Sequence, residues 1–198
     1  SDSDFTWAEF VRRNNSELVA GWGNLVNRTA AMIAKNFGEI PVSGALEEID
    51  SELLDAVRTG FETVGEAIAH HRQRAALGEV MRLVGEANAY VTRTEPFKLK
   101  APEQRERLGT VLNTLAQVVS DLNTMMSVFL PHSSNAIDRV IGGTGDLAPM
   151  PRLVEVEDLD GGDPYPIITG DYSDLRPWGS VPVEPGTPIA KPKPVFQK

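Results

Sequence analysis

An asparagine and an arginine four residues apart, Asn24 and Arg28, stand in the run GNLVNR, inside a stretch with the apolar spacing of a helix. Side chains at this spacing project from nearly the same side of a helix. Asn offers a hydrogen-bond donor and an acceptor, and Arg offers a planar fork of donors that also stacks. These groups can read the edge of an unpaired base and hold its phosphate. They can equally join two helices or sit on the surface, so the pair alone leaves these hypotheses open.

The run TEPFKLK, residues 94–100, supplies a second candidate group. Pro96 is expected to end a helix, because the residue before a proline is driven out of the helical region. Phe97 would then stand on a corner, followed by two lysines. An exposed ring can stack on a splayed base. The alternative is that Phe97 plugs the loop into the core.

Other polar groups predict no catalytic or metal site. His70 and His71 are adjacent, and neighbouring side chains on a helix diverge by about 100°. The acidic group Asp50, Glu52 and Asp55 opens a helix, where carboxylates favour the dipole. The sequence holds no Gly-rich phosphate loop, no Ser-His-Asp pattern and no cysteine. We therefore expect no catalytic residue, metal or cofactor in this segment.

The overall charge limits the kind of partner. A formal net charge of −9 over 198 residues argues against indiscriminate nucleic-acid binding, but it leaves room for a small local RNA site. No apolar run approaches the roughly 18 residues of a membrane span. The absence of cysteine suits a reducing cytoplasm. The chain begins at Ser1 rather than Met, so we expect further parts of the protein outside it.

Residues 1–142 have the pattern of an all-α protein. Apolar residues recur at spacings of three and four, which predicts amphipathic helices. Short loops between such helices favour an antiparallel bundle of about five. The predicted helices cover about 5–37, from Ile49 to the HHR at 70–72, about 73–93, from Pro102 to Phe129, and a short one capped by Ser133 or Ser134 that stops at Gly142.

Residues 143–198 differ in composition. They hold 10 of the 14 prolines and 7 of the 17 glycines, which is typical of irregular chain. We predict an extended tail that packs back on the folded body, with Tyr172, Trp178 and Phe196 as anchors. A short strand near YPIIT is expected, and VEVEDLDGGD is interpreted as a solvated acidic loop.

Two motifs together resemble the C-terminal anticodon-binding domain of the methionyl-tRNA synthetase family. The family pattern N-x-E-L-x-x-x-x-G-N-L-x-x-R is matched from Asn15 to Arg28, and N-x-Y-x-x-x-x-x-P-W is matched from Asn88 through Pro96. The resemblance extends to FLPHSSNAI and to the closing VEPGTPIAKPKPVFQK. It therefore covers nearly the whole chain.

The resemblance implies a tRNA-binding role for four residues. Asn24, Arg28 and Phe97 would hold the CAU anticodon of methionine tRNA, with Pro96 shaping the corner. A catalytic domain outside this chain would attach methionine to the tRNA using ATP and Mg, in the cytoplasm. Two departures affect the site: Phe97 replaces the family tryptophan, and Ala20 replaces a family asparagine.

Two other functions remain open at this stage. The chain could be the anticodon-binding bundle of another class I synthetase or a stand-alone tRNA-binding module. It could also be a helical protein-interaction module without RNA binding, in which Asn24 and Arg28 serve packing.

Overall fold

The computed structural model describes residues 5–148, 150–170 and 176–189, together with Phe196. Its helices form a bundle, so the all-α prediction is confirmed. The first helical rod runs without a break through α1, a π-helical segment and α2. The bounds are α1 Trp7–Arg13, the π-helical segment Asn14–Gly23, α2 Asn24–Asn36, α3 Glu48–Ala69, α4 Gln73–Thr94, α5 Arg105–Met126 and α6 Pro131–Val140, with short 3₁₀ turns at Pro96–Lys98 and Pro102–Gln104.

The first rod presents the predicted apolar stripe to the core. Trp22, Leu25, Thr29 and Ile33 are buried. The rod ends before Gly38, whose φ of 77° is left-handed and suits a glycine after a helix. The wide hydrogen-bonding turns of Asn14–Gly23 were not predicted, because apolar spacing barely distinguishes an α-helix from a π-helix.

The last helix begins earlier than the sequence suggested. It opens at Pro131, and Leu130 rather than Ser133 or Ser134 is the capping residue. Proline is favoured in a first turn, where its missing N–H is not needed. Ser134 is instead buried, and its carbonyl accepts a hydrogen bond from Asn123 Nδ2 at 2.9 Å.

Helices α4 and α5 run in opposite directions beside the first rod. Asn88 Nδ2 donates to the Gly21 carbonyl at 3.3 Å, and Leu77 lies further back beside Phe10. Helix α4 is therefore parallel to the first rod. Arg105, at the start of α5, donates from Nη2 to the Asn36 carbonyl at 3.2 Å, so α5 is antiparallel to the rod.

A two-stranded antiparallel sheet follows the bundle. Strand β1, Arg152–Val156, pairs with β2, Tyr165–Thr169, in the register Val154 with Ile167. The strand near YPIIT is confirmed. The interpretation of VEVEDLDGGD as a loop is wrong at its start, because Val154–Val156 alternate apolar and acidic residues and form part of β1.

Residues 176–189 lie along the helices. The Trp178 indole donates to the Phe61 carbonyl at 2.9 Å, and the two rings meet edge to face at 5.5 Å. Two backbone bonds join the tail to the loop after α2: Ile40 N donates to Thr187 O at 2.9 Å, and Gly186 N donates to Ile40 O at 2.8 Å. Tyr172 lies outside the described residues, and the division of the chain at residue 142 stays a prediction.

No helix in the described ranges is both long and apolar enough to cross a membrane.

Candidate nucleic-acid interface

Asn24 and Arg28 lie on the solvent side of α2. Both side chains are exposed, whereas Leu25 and Thr29, one position further along, are buried. Within the described part of the chain, neither side chain makes a hydrogen bond or an ion pair. Both side chains are therefore exposed on this face of α2.

Pro96 and Phe97 form the corner that the sequence predicts at the end of α4. Glu95 takes the left-handed backbone conformation, with φ 44°, which turns the chain out of the helix. Pro96 is buried and Phe97 is 48% exposed. Pro96, rather than Phe97, therefore packs into the core at the corner, and the phenyl ring is exposed to solvent. Lys98 Nζ pairs with Glu95 across this turn at 2.7 Å.

The corner lies level with Arg28, because α4 is parallel to the first rod. Asn88 marks the level of Gly21, and Glu95 and Arg28 each follow seven residues later. Seven residues advance a helix by about 10 Å and return it to nearly the same side. Arg28 therefore lies on the rod at the height where α4 stops, with its side chain exposed. Arg28 and Phe97 thus lie at the same end of the bundle.

A buried ionic group holds the end of α4 in place. Tyr90 Oη donates to Asp50 Oδ1 at 2.6 Å, and Arg107 Nη2 donates to the same carboxylate at 2.9 Å. Asp50 Oδ2 also accepts from the Glu47 amide at 2.9 Å and so caps α3. The carboxylate thus links α3, α4 and α5. The sequence assigned Asp50 only to the helix dipole. The apolar spacing of α4 did not indicate that Tyr90 would bind Asp50.

Two opposing effects set the pKa of Asp50. Burial favours the neutral acid, but the hydrogen bonds from Arg107, Tyr90 and the Glu47 amide outweigh it, so the pKa lies below its ordinary value. Burial first, and then the Asp50 charge, raise the pKa of the Tyr90 phenol. Asp50 is therefore ionised at neutral pH, and Tyr90 is the donor.

Asn88 and Tyr90, the paired residues of the second motif, serve the scaffold. Asn88 Nδ2 donates to Val84 O at 2.9 Å as well as to Gly21 O. Asn88 therefore joins α4 to the first rod, and Tyr90 joins α4 to α3. Neither is available to a ligand through these atoms.

Four cationic residues are exposed near this end of the bundle. Arg93, Lys98, Lys100 and Arg105 are exposed on α4, on the corner and at the start of α5. The Arg105 guanidinium lies 4.5 Å from the Phe37 ring centroid, which orients it beside the end of α2. Carboxylates lie among these cations, since Lys98 pairs with Glu95 and both Glu103 and Glu106 are exposed beside Arg105.

The arrangement offers binding groups rather than a reaction centre. Within the described ranges, no three His, Asp or Glu side chains lie close enough to hold a metal ion. His70 and His71 occupy the turn between α3 and α4, where His70 Nδ1 lies 2.8 Å from the Glu66 carbonyl.

Curated relatives match this chain over its whole length. The methionine–tRNA ligase of Nocardioides sp. is 60% identical over 197 residues, and that of Salinispora arenicola is 57% identical over 200 residues. Each match covers all of this chain and 33% of the relative, so the chain spans about a third of their length. The family model described as tRNA synthetases class I (M) matches residues 1–30.

Solved structures share the fold. The apo form of Mycobacterium tuberculosis methionyl-tRNA synthetase superposes with a TM-score of 0.78 at 22% identity, covering 100% of this chain and 35% of that one. The same enzyme bound by methionyl-adenylate gives 0.76 at 22% identity, with 98% and 34% covered.

Proposed function

We propose that this chain, a homologue of methionine–tRNA ligases along its whole length, is the C-terminal part of such a ligase and recognises the CAU anticodon of methionine tRNA. The relatives are about three times as long. Attachment of methionine to tRNA with ATP and Mg is therefore proposed for the complete cytoplasmic protein. The chain itself would contribute tRNA discrimination and contacts to the catalytic domain.

One observation carries the proposal. Asn24, Arg28 and Phe97 come from two helical segments far apart in sequence, all three side chains are exposed, and Arg28 is at the level where α4 stops. Exposed aromatic and guanidinium groups beside an amide are the means by which proteins bind unstacked bases.

Each side chain would have a distinct task. Phe97 would stack on the first anticodon base, and such stacking contributes roughly 1–3 kcal/mol per base. Asn24 would donate to and accept from a base edge, and Arg28 would donate to a base edge and to a neighbouring phosphate. A wrong base would leave buried polar groups without partners, at a cost of about 1–3 kcal/mol for each group. Pro96 would act by holding the ring outward.

The charge distribution supports selective binding. Sequence-independent affinity for RNA comes mainly from contacts between cations and phosphates, and it weakens as salt rises. Here four exposed cations, Arg93, Lys98, Lys100 and Arg105, lie near the candidate site of a chain that is acidic overall. The protein would therefore hold the anticodon loop through a few local contacts, without retaining other RNAs.

Two departures from the family pattern lower the expected affinity. Phe97 keeps a stacking face but has less area than tryptophan and no indole donor. Ala20, which stands where the family has an asparagine, is exposed and offers no hydrogen-bonding side chain. The remaining base contacts would then depend more heavily on Asn24 and Arg28.

Filter binding with the complete ligase tests the function. Anticodon stem-loops with CAU and with other anticodons are compared at one moderate salt concentration. Preference for CAU supports the proposal. Preference for another anticodon would favour the bundle of a different class I synthetase. Absence of binding to every stem-loop would favour a protein-interaction module.

A further inference from the structure

Phe196 packs against Gly23, immediately before Asn24. The ring is half-buried against the core, and a methyl group placed on Gly23 would come within 2.9 Å of Phe196 Cδ2 and 3.7 Å of its Cβ. A separation of 2.9 Å is shorter than side-chain carbons tolerate, so the ring occupies space that any other residue at position 23 would need.

The backbone of Gly23 gives no other reason for a glycine. Its angles, φ −59° and ψ −40°, are those of an ordinary right-handed helix. Glycine there destabilises a helix by about 1 kcal/mol relative to alanine. In contrast, a methyl group at Gly78 of α4 would meet nothing within 4 Å. The close approach of Phe196 is therefore the feature that distinguishes Gly23.

We propose that the missing side chain of Gly23 leaves the space in which the Phe196 ring packs, which we call the seat of Phe196. We propose also that Phe196 is a positioning residue of the anticodon site. This inference rests on the proposed function. Asn24 follows Gly23 directly, so the ring lies against the helix backbone one residue before Asn24. Through this backbone contact it would fix the position from which the exposed Asn24 amide projects. The C-terminal segment thus takes part in base recognition without contacting the base.

The binding test uses the complete ligase with Gly23→Ala, Phe196→Ala and the double substitution. We expect each single substitution to weaken CAU stem-loop binding by about fivefold. This factor is within the range of coupling energies between two side chains that touch each other. The double substitution should bind no worse than either single one, because the clash requires both groups. Losses that multiply in the double variant, or wild-type binding by Gly23→Ala, would overturn the proposal.

Matched variants separate positioning from folding. Gly78→Ala, the control for adding a methyl group to a helix, should bind CAU as the wild type does. Phe196→Tyr keeps the ring and should restore the preference for CAU over a stem-loop changed at one anticodon base. Phe196→Ala should reduce that preference with little change in melting temperature. An unchanged preference in Phe196→Ala would overturn the positioning role.

Hydrogen–deuterium exchange tests the seat independently of RNA. The peptide that carries Phe196 should exchange faster in Gly23→Ala than in Gly78→Ala, because the added methyl group displaces the ring. Equal exchange would overturn the seat. Should the wild-type ligase show no preference for CAU, the proposed function would fail, while this measurement would still decide whether Gly23 holds Phe196.

Discussion

The Asn88 side-chain amide donates to the Gly21 carbonyl at 3.3 Å, and this bond sets the height of α4 against the first helical rod. Seven residues beyond that contact, α4 has ended at its proline corner and the rod presents Arg28. The candidate site thus lies where α4 ends and α2, beside it, continues.

Replacing Arg28 by alanine should weaken CAU stem-loop binding at least tenfold, which corresponds to about 1.4 kcal/mol. A charge-assisted hydrogen bond contributes about 1.5–3 kcal/mol. Because Arg28 is exposed, far-UV circular dichroism and the melting temperature should hardly change. Arg74→Ala, at the opposite end of α4, also removes an exposed guanidinium and should leave binding intact. Unfolding of Arg28→Ala would instead indicate a packing role.

Substitutions at Phe97 should separate stacking from apolar packing. Phe97→Trp should keep or improve CAU binding, since the larger ring offers more stacking area. Phe97→Leu keeps an apolar side chain but has no ring, and should lose about 1–3 kcal/mol of binding free energy. Filter binding at one salt concentration measures both. Wild-type binding by Phe97→Leu would refute stacking.

Asn88→Ala should weaken both the fold and RNA binding. Loss of its hydrogen bonds should lower the free energy of unfolding by about 1–2 kcal/mol. The Phe97 corner would then shift relative to Arg28, so preference for CAU should fall as well. Asn113→Ala is the matched control, because Asn113 Nδ2 donates to the Pro41 carbonyl at 2.8 Å and so joins α5, rather than α4, to its neighbour. It should lower stability in urea titrations without changing the preference.

Asp50 should make the protein sensitive to acid. Its pKa is lowered in the folded state, so its stabilising contribution is complete above the unfolded value of about 4. That contribution is lost as the pH falls through the folded pKa. Asp50→Asn should destabilise the protein at neutral pH by about 3 kcal/mol, because Arg107 loses its buried counter-charge and keeps only the exposed Glu47. The same substitution should reduce the loss of stability at low pH. Urea midpoints from pH 2 to 7 measure this, with the exposed Asp55→Asn expected to follow the wild type.

Asp121 should respond in the opposite sense. Burial raises its pKa, despite the hydrogen bonds from Ser180 and Gln117. The folded state therefore favours the protonated acid, and stability falls as the pH rises from about 4 through the folded pKa. Asp121→Asn removes the buried charge and can keep the contact with Ser180, so it should match or exceed wild-type stability at pH 7. A large loss in the same urea titration would contradict this expectation.

The sequence predicted the helices well because their apolar stripes are long and regular. Leu25 and Val119 are buried where the spacing requires. The sequence could also place Pro96 at a helix end, since proline restricts the residue before it. These are local effects, and they operate within one or two turns of chain.

Contacts between distant segments could not be predicted in the same way. Asp50 and Arg107 are 57 residues apart, and nothing in either local pattern specifies the other. The anchor at Trp178 was expected from its apolar size, but its partner carbonyl on Phe61 follows only from the packed helices. Strand β1 was missed because a five-residue strand is recognised mainly by its partner.

The tie between residues 38–40 and 186–189 consists of main-chain groups. Ile189 N donates to the Gly38 carbonyl at 3.1 Å, beside the two bonds between Ile40 and the tail. Such an attachment is indifferent to the identity of most side chains, and only proline at a donating position would remove a bond. The route of the tail over the bundle can therefore be inherited while many of the side chains along these segments change.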